Sequence, residues 1–225
     1  MSEGKPTVAV LGGTGDLGTG LARRWAKAGY DVIIGSRTAE KGQAAAAELN
    51  AYAGRQDLRG MDNRSAAQAA EIVVMTVPWE SHRSTIESVR DVCGGKIFVD
   101  TTVPLVPPKV GTVQLPPEGS AAVIAQKLLG ESVTVVSAFQ DVAALKLQKD
   151  MEIECDVLVC GDKAAARDAV MTLVEAAGLR GWHAGPLANS AAAEAITSVL
   201  ITLNRRYKID GAGIRITGTP GSAGE

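Results

Sequence analysis

The sequence has few of the side chains on which several classes of protein depend. Aromatic residues make up only 4% of its 225 residues, there are two histidines, and the three cysteines (Cys93, Cys155 and Cys160) follow no metal-ligand or redox spacing. An odd number of unpatterned thiols is typical of a reducing compartment. We therefore expect a cytoplasmic protein without a disulfide framework and without a metal site.

Long apolar runs and an excess of positive charge are also missing. The most apolar stretch, 195–203, is too short to span a bilayer, and the polar start MSEGKPT predicts no signal peptide. The formal net charge is −2, whereas proteins that bind nucleic-acid phosphates usually carry a basic excess. We expect a protein that binds neither a membrane nor nucleic acid.

The hydrophobic residues that are present, 46% of the chain, are arranged in two alternating patterns. Short β-branched runs alternate with segments of helical periodicity. This alternation predicts an α/β fold with a doubly wound parallel sheet, a Rossmann fold. Strands are predicted over 7–12, 31–37, 71–78, 95–102 and 132–139, and helices over 16–29, 38–53, 65–70, 80–92 and 118–130.

A glycine-rich turn joins the first predicted strand to the first helix. Its residues Gly13, Thr14, Gly15, Asp16, Leu17 and Gly18 spell the G-x-G-x-x-G pattern of dinucleotide-binding proteins. The first glycine permits the tight turn, the second lets a pyrophosphate approach bare backbone, and the third lets helix and strand pack closely. The alternative is a glycine-rich turn without a ligand, and the negative charge of Asp16 is a mild argument for it.

The end of the second predicted strand indicates which dinucleotide binds. An NAD-binding site usually has an acidic residue there, but this sequence has Ser36 and Arg37, with Lys41 one turn into the next helix, for which Thr38 is the predicted N-cap. Cations at a helix N-terminus are disfavoured unless an anion compensates them. We therefore expect the 2′-phosphate of NADP here; the alternative is a solvated basic helix start.

After Asp150 the pattern changes, with strands predicted over 155–161 and 179–185 and helices over 163–178 and 186–206. We expect an NADP-binding domain over 1–150 and a smaller part over 151–225 that closes the substrate cleft. The tail 217–225, rich in glycine, serine, threonine and proline, is expected to be frayed.

The walls of that cleft should be the strand ends 76–79, 101–104 and 137–140, because ligands of doubly wound sheets lie outside the carboxyl ends of the strands. These segments hold no aligned acid and base. Trp79 is either a core residue or a wall for the nicotinamide, and His82, between polar neighbours, is expected at the surface. Carbonyl or imine reduction normally needs a proton donor beside the substrate, and these segments supply none. We therefore expect no catalytic side chain, and a second redox cofactor that exchanges hydride through positioning alone.

Taken together, the motifs resemble those of the coenzyme F420-dependent NADP reductases. The resemblance runs from Val8 to about Ile216 and implies a homodimer with reversible hydride transfer between C5 of the deazaflavin and C4 of the nicotinamide. The shared motifs are GGTGDLG at 12–18, GSR at 35–37 with Lys41, VPWE at 77–80, VPLVP at 103–107 and AGPLANS at 184–190.

The resemblance also implies site residues. Those around NADP would be the turn 13–18 together with Ser36, Arg37, Lys41, Val77, Pro78, Trp79, Arg83, Val103, Ala138 and Ala144. Those around coenzyme F420, the co-substrate, would be Phe139, Gln140, Pro186, Leu187 and Asn189. The sequence departs from archaeal members of the family, which have a histidine where this chain has Phe139-Gln140. A flavin, a different deazaflavin or a small organic acceptor therefore stays open as the second substrate.

Two further functions stay open from the sequence. An NADP-dependent reductase of a small carbonyl or imine would need an acid, for which His82 and Lys208 are the candidates. A non-catalytic NADP(H) sensor would need only the dinucleotide-binding half of the chain.

Overall fold

The computed structural model describes residues 4–218, and six of its strands form a single parallel sheet. They are β1 (Val8–Leu11), β2 (Val32–Ser36), β3 (Arg59–Asp62), β4 (Ile72–Met75), β5 (Ile97–Asp100) and β6 (Thr134–Ser137). Their order is β3-β2-β1-β4-β5-β6: β2 and β3 lie on one side of β1, and β4, β5 and β6 lie on the other. The predicted doubly wound parallel sheet is confirmed.

Helices cover both faces of this sheet. They are α1 (Asp16–Lys27), α2 (Ala39–Ala53), α3 (Asn63–Ala69), α4 (Trp79–Val89), α5 (Ala121–Leu129), α6 (Ala144–Leu147), α7 (Ala164–Ala176) and α8 (Ser190–Tyr207), with short 3-10 helices at Arg90–Val92 and Leu187–Asn189. Buried side chains of α1, α2 and α7 form one core cluster, and those of α3, α4 and α5 form a second on the opposite face. The sheet between them is therefore buried on both sides, which explains its nearly continuous apolar strands.

The edge strand β3 is missing from the sequence prediction. Its four residues read Arg-Gly-Met-Asp, are exposed or half-buried at the edge of the sheet, and lack the apolar run that marks the buried strands. Its Gly60 lies against Gly42 of α2: a Cβ on Gly60 would be 2.0 Å from the carbonyl oxygen of Gly42. The two glycines let the backbone of α2 rest directly on β3.

The residues after Asp150 form a second, smaller sheet and do not extend the first. Strands β7 (Asp156–Val159) and β8 (Arg180–His183) pair in parallel, and a single bridge between Ser137 and Cys160 links them to β6. The predicted frayed tail, 217–225, falls almost entirely outside the described residues. Among residues 4–218, none of the helices combines the length and the apolar character that crossing a membrane requires.

Helix α1 holds the two sheets together. The indole N–H of Trp25 donates to the carbonyl oxygen of Leu173 in α7 (2.8 Å) in the buried core. The Arg24 guanidinium donates to carbonyl oxygens beyond α6 and α7, including those of Lys149 and Met151 (each 2.8 Å) and Ala177 (3.0 Å). A charged fork that satisfies several helix-terminal carbonyls at once ties the C-terminal segment to the large sheet.

Candidate dinucleotide site and active-site cleft

The carboxyl ends of four neighbouring strands meet at one edge of the sheet. The hydroxyl of Thr76 donates to the carbonyl oxygen of Leu11 (2.9 Å), and that of Thr101 donates to Met75 (2.8 Å). Each threonine thus extends the hydrogen bonding between neighbouring strands by one residue beyond the end of its own strand. The edge is thereby fixed as one rigid surface, and it holds the strand ends that the sequence predicts as cleft walls.

The glycine turn follows β1 at this edge and has no room for side chains at its two outer glycines. A Cβ on Gly13 would be 2.8 Å from the carbonyl oxygen of Val10, and one on Gly18 would be 2.6 Å from Oγ1 of Thr76. A Cβ on Gly15 would have only the Gly12 carbonyl oxygen near it, at 3.5 Å. Gly15 therefore faces open space, as approach of a phosphate to the backbone requires.

Helix α1 begins directly after this turn without a side-chain cap. Gly15 is its N-cap residue, and no side chain of residues 4–218 caps its first-turn amides. Thr14, Gly15 and Asp16 are exposed, and Leu17 is half-buried. Uncapped amides at a positive helix end form a ready site for an anion.

Ser36, Arg37 and Lys41 lie next to the turn, at the end of β2 and the start of α2. Ser36 is buried, whereas Arg37 and Lys41 are exposed and, within residues 4–218, form no salt bridge. The predicted N-cap is confirmed, since Oγ1 of Thr38 accepts from the Lys41 amide (3.5 Å). Two cations therefore stand at a helix N-terminus without a salt-bridge partner among residues 4–218, with Glu40 between them in the first turn of α2 and Glu48 two turns further along.

A cavity of about 300 Å³ opens between α1 and α2 beside these residues. Gly13, Thr14 and Lys41 line it, together with Arg23 on its α1 side. The glycine turn and Lys41 thus share one space, and Arg23 adds a cation that the sequence analysis missed. Its spacing from the turn, two helical turns into α1, could have pointed to it.

The predicted nicotinamide side of the site lies further along the same edge. Val77, Trp79 and Val103 are half-buried, Pro78 is exposed, and Ala138 is fully buried at the end of β6. Arg83 is exposed on the second turn of α4, 3.8 Å from Glu87. Ala144, at the start of α6, is half-buried and lies beyond the loop that follows β6.

The chain turns sharply after β6. Phe139 has a φ of 72°, a left-handed conformation that is rare for a bulky residue. Its ring lies in the core, edge-on to Trp25 with centroids 5.9 Å apart. Only the backbone of Phe139 can therefore face the cleft. The next residue, Gln140, is buried, and its side-chain amide donates to the carbonyl oxygen of Asp100 (2.9 Å).

The remaining predicted substrate residues lie on the segment between β8 and α8. Pro186 and Asn189 are exposed, and Leu187 is buried in the second core cluster. The Leu187 amide donates to Oδ1 of Asp162 (2.9 Å), and the Asn189 side-chain amide donates to the carbonyl oxygen of Ala184 (2.7 Å). The segment is thus held in a defined shape at the start of α8.

The prediction that His82 lies at the surface is wrong. His82 is 1% exposed, and its Nε2 lies 2.7 Å from Oδ2 of Asp100, which is fully buried at the end of β5. Its polar sequence neighbours suggested a solvated helix start, but His82, Ile86 and Val89 recur at helical spacing and share the buried face. Asp100 was not singled out at all, because nothing in the spacing of the sequence pairs it with a histidine on another element.

Two buried acids lie where α8 packs against the large sheet. Burial raises the pKa of Asp141, whose Oδ1 accepts from the Thr197 hydroxyl (3.0 Å), to about 7. Burial also raises the pKa of Glu194 to about 8, although the amides of Ala121 (2.7 Å) and Ala122 (3.2 Å) donate to its carboxyl group. Both groups hold a proton in the folded chain at a pH where the unfolded chain has lost it.

We expect this to make the protein less stable as the pH rises. The unfolded carboxyls titrate near their ordinary values of 3.8 and 4.5, and the folded ones near 7 and 8. The stabilisation is fully present below about pH 4 and is lost as the pH rises through 8, because the unfolded state then binds fewer protons than the native state. Thermal unfolding should show a melting temperature several degrees lower at pH 8 than at pH 5.5.

The variants Asp141→Asn and Glu194→Gln should each flatten this dependence. Glu152→Gln, at an exposed position, is the matched control and should leave it unchanged. A melting temperature that rises between pH 5.5 and pH 8 in the wild-type protein would contradict the assignment.

Comparison with known proteins agrees with this geometry. A family model described as NADP oxidoreductase, coenzyme F420-dependent, matches residues 7–104, which include the glycine turn, Arg37 and Trp79. The F420-dependent NADP reductase of Methanocaldococcus jannaschii is 41% identical over 219 residues, covering 93% of this chain and 97% of its own length. That of Methanothermobacter thermautotrophicus is 42% identical over 222 residues, covering 95% of each.

A solved structure agrees as well. A crystal structure from Arthrobacter sp. FB24, assigned to the F420-dependent NADP reductases, matches with a TM-score of 0.78 and 25% identity, covering 95% of this chain and all of that one. In each of these three comparisons the match covers nearly the full length of this chain and of the relative. This chain belongs to the family of coenzyme F420-dependent NADP oxidoreductases.

Proposed function

We propose that the protein transfers a hydride between reduced coenzyme F420 and NADP. The observation that carries the proposal is the convergence of a glycine-rich turn, an uncapped helix start and two cations that form no salt bridge within residues 4–218, at the edge where the strand ends form a largely apolar wall. Family membership supplies the second substrate. When both are bound, the nicotinamide and the deazaflavin exchange hydride between their ring carbons.

The residues at one end of the site hold NADP and set its identity. The amides of the turn 13–18 and of the first turn of α1 bind the pyrophosphate, and Gly15 leaves the space for it. Arg37 binds the 2′-phosphate through its planar fork, with Ser36 and Lys41 beside it. Asp16 takes no acid–base role: it is exposed, and its carboxylate accepts from the Gln148 side chain (3.3 Å).

The residues at the other end orient the reacting rings. Val77, Pro78, Trp79 and Val103 form the wall for the nicotinamide, with the fully buried Ala138 behind it, and Arg83 and Ala144 lie around the rest of NADP. The deazaflavin binds between the loop after β6, with Phe139 and Gln140, and the segment with Pro186, Leu187 and Asn189. We assign no acid–base catalyst, since hydride transfer requires mainly that donor and acceptor carbons be held about 3–3.5 Å apart away from water.

We propose that residues 1–150 bind NADP, that residues 151–225 close the cleft, and that two chains form a homodimer. Exposed apolar side chains support the dimer: Val199 on α8 is 45% exposed, and Val113, in the proline-rich loop 103–117 that follows β5, is 43% exposed. That loop lies against α8, where the Thr202 hydroxyl donates to the carbonyl oxygen of Gly111 (3.0 Å). Three buried free thiols fit the proposed reducing, cytoplasmic setting.

The experiment is to mix the protein with NADPH and oxidised F420 and follow the visible absorbance of the deazaflavin. We expect NADPH-dependent loss of that absorbance, with little loss when NADH replaces NADPH. FMN and FAD in place of F420 test the flavin alternative. Unchanged deazaflavin absorbance, with tight NADPH binding intact in calorimetry, would overturn the proposal in favour of a sensor or a different acceptor.

A further inference from the structure

A buried histidine–aspartate pair lies directly beneath the proposed nicotinamide wall. His82 and Asp100 are 1% and 0% exposed, and Nε2 and Oδ2 are 2.7 Å apart. A buried pair of this kind loses two hydration shells on folding, and an apolar pair of similar volume is often as stable. The position of the pair therefore calls for an explanation other than stability.

Three segments of the cleft wall meet at this pair. The His82 ring packs against the Trp79 indole, with centroids 5.2 Å apart and planes inclined by 39°. Oδ1 of Asp100 accepts from the Thr102 amide (2.9 Å), and its backbone carbonyl oxygen accepts from the Gln140 side chain (2.9 Å). The start of α4 and the loops after β5 and β6 are thus joined through one buried carboxylate residue.

Unsatisfied polar atoms collect at the same place. Among the described residues, Nδ1 of His82, Oε1 of Gln140 and Oγ of Ser137, which pairs with Asp100 in the sheet, are buried without a hydrogen-bond partner. All three atoms belong to residues in direct contact with His82 and Asp100 or to that pair itself.

We propose that His82 and Asp100 are positioning residues that fix the Trp79 indole and the loops after β5 and β6 as one rigid wall for the nicotinamide of NADP. The inference rests on the proposed binding of NADP at this edge, but not on F420 as its partner. The pair does not touch the reacting rings. It holds Trp79, and a ring displaced by about 1 Å from the reactive geometry can lose about 100-fold in rate.

The first test uses calorimetry to measure separately how the two ends of NADP contribute to binding. The probes are NADP and 2′,5′-ADP, which carries the 2′-phosphate but no nicotinamide. The His82→Asn variant has an amide too short to reach Asp100, whereas His82→Gln places its amide nitrogen close to the position of Nε2. We expect His82→Asn to weaken NADP several-fold and leave 2′,5′-ADP unchanged, and His82→Gln to restore most of the loss.

The second test measures turnover in a double-mutant cycle with Trp79→Phe. We expect His82→Asn to lower kcat by about 10- to 100-fold, His82→Gln by much less, and the effects of His82→Asn and Trp79→Phe to be strongly non-additive because the histidine acts through the indole. Additive effects, equal kcat for the two His82 variants, or equal weakening of NADP and 2′,5′-ADP would each overturn the inference. If the wild-type protein does not reduce F420, the proposed function fails while the calorimetric test still decides this inference.

Discussion

Replacing Arg37 with alanine should weaken NADPH by about 10- to 100-fold and leave NADH nearly unchanged, since a charge-assisted hydrogen bond contributes about 1.5–3 kcal/mol. The guanidinium has no carboxylate partner among residues 4–218, and it stands at a helix start whose dipole already disfavours it. Its charge is therefore available to the 2′-phosphate, the only group that distinguishes the two cofactors. Calorimetric or fluorescence titration of both cofactors measures the effect.

Arg90→Ala is the matched control for this experiment. Arg90 is also exposed, but it lies after α4 at the opposite end of that helix from Trp79. It should leave both dissociation constants unchanged. Equal loss of NADPH and NADH affinity in Arg37→Ala would show that Arg37 does not read the 2′-phosphate.

Replacing Gly60 with alanine should destabilise the protein by about 3 kcal/mol or more, at the upper end of the cost of overpacking. The added Cβ would lie 2.0 Å from the carbonyl oxygen and 2.2 Å from the carbonyl carbon of Gly42. Both are backbone atoms, so no side-chain rotation can relieve the clash, and α2 has to move away from β3. Urea denaturation measures the loss.

Gly94→Ala provides the comparison, because a Cβ there has only Oγ of Ser132 near it, at 3.9 Å. It should leave the unfolding midpoint nearly unchanged. Because Arg37 and Lys41 sit at the start of α2, Gly60→Ala should also weaken NADPH. Equal midpoints for Gly60→Ala and Gly94→Ala would contradict the packing described for α2 and β3.

The parts of the fold that the sequence predicts are those set by local chemistry. The G-x-G-x-x-G turn, the cap at Thr38 and the buried strands can be predicted, because each depends on residues that are close together in the sequence. Strand β3 is not readable, since its pairing depends on Gly42 lying opposite Gly60 across two elements. The placement of β7 and β8 in a separate sheet also depends on tertiary contacts.

The site follows the same division. The proposed phosphate-binding end lies within a few residues of two helix starts and is predictable. The proposed nicotinamide end depends on Asp100, whose partners are 18 residues back and 40 residues ahead along the chain. The burial of His82 could have been read from its spacing to Ile86 and Val89. The identity of its partner could not, because nothing in an aspartate at the end of an apolar strand indicates which neighbour it meets.

The contacts of α1 have a consequence for the modularity of the chain. Its twelve residues span about 18 Å. The amides proposed to bind phosphate lie at one end, and at the other Arg24 and Trp25 donate to carbonyl oxygens from beyond Asp150. Cutting the chain there would leave a buried indole N–H without its acceptor and remove two of the carbonyl partners of the guanidinium. The proposed NADP-binding part is therefore not an independent folding unit: without the C-terminal segment it would lose the contacts that hold α1, the helix at the proposed phosphate site.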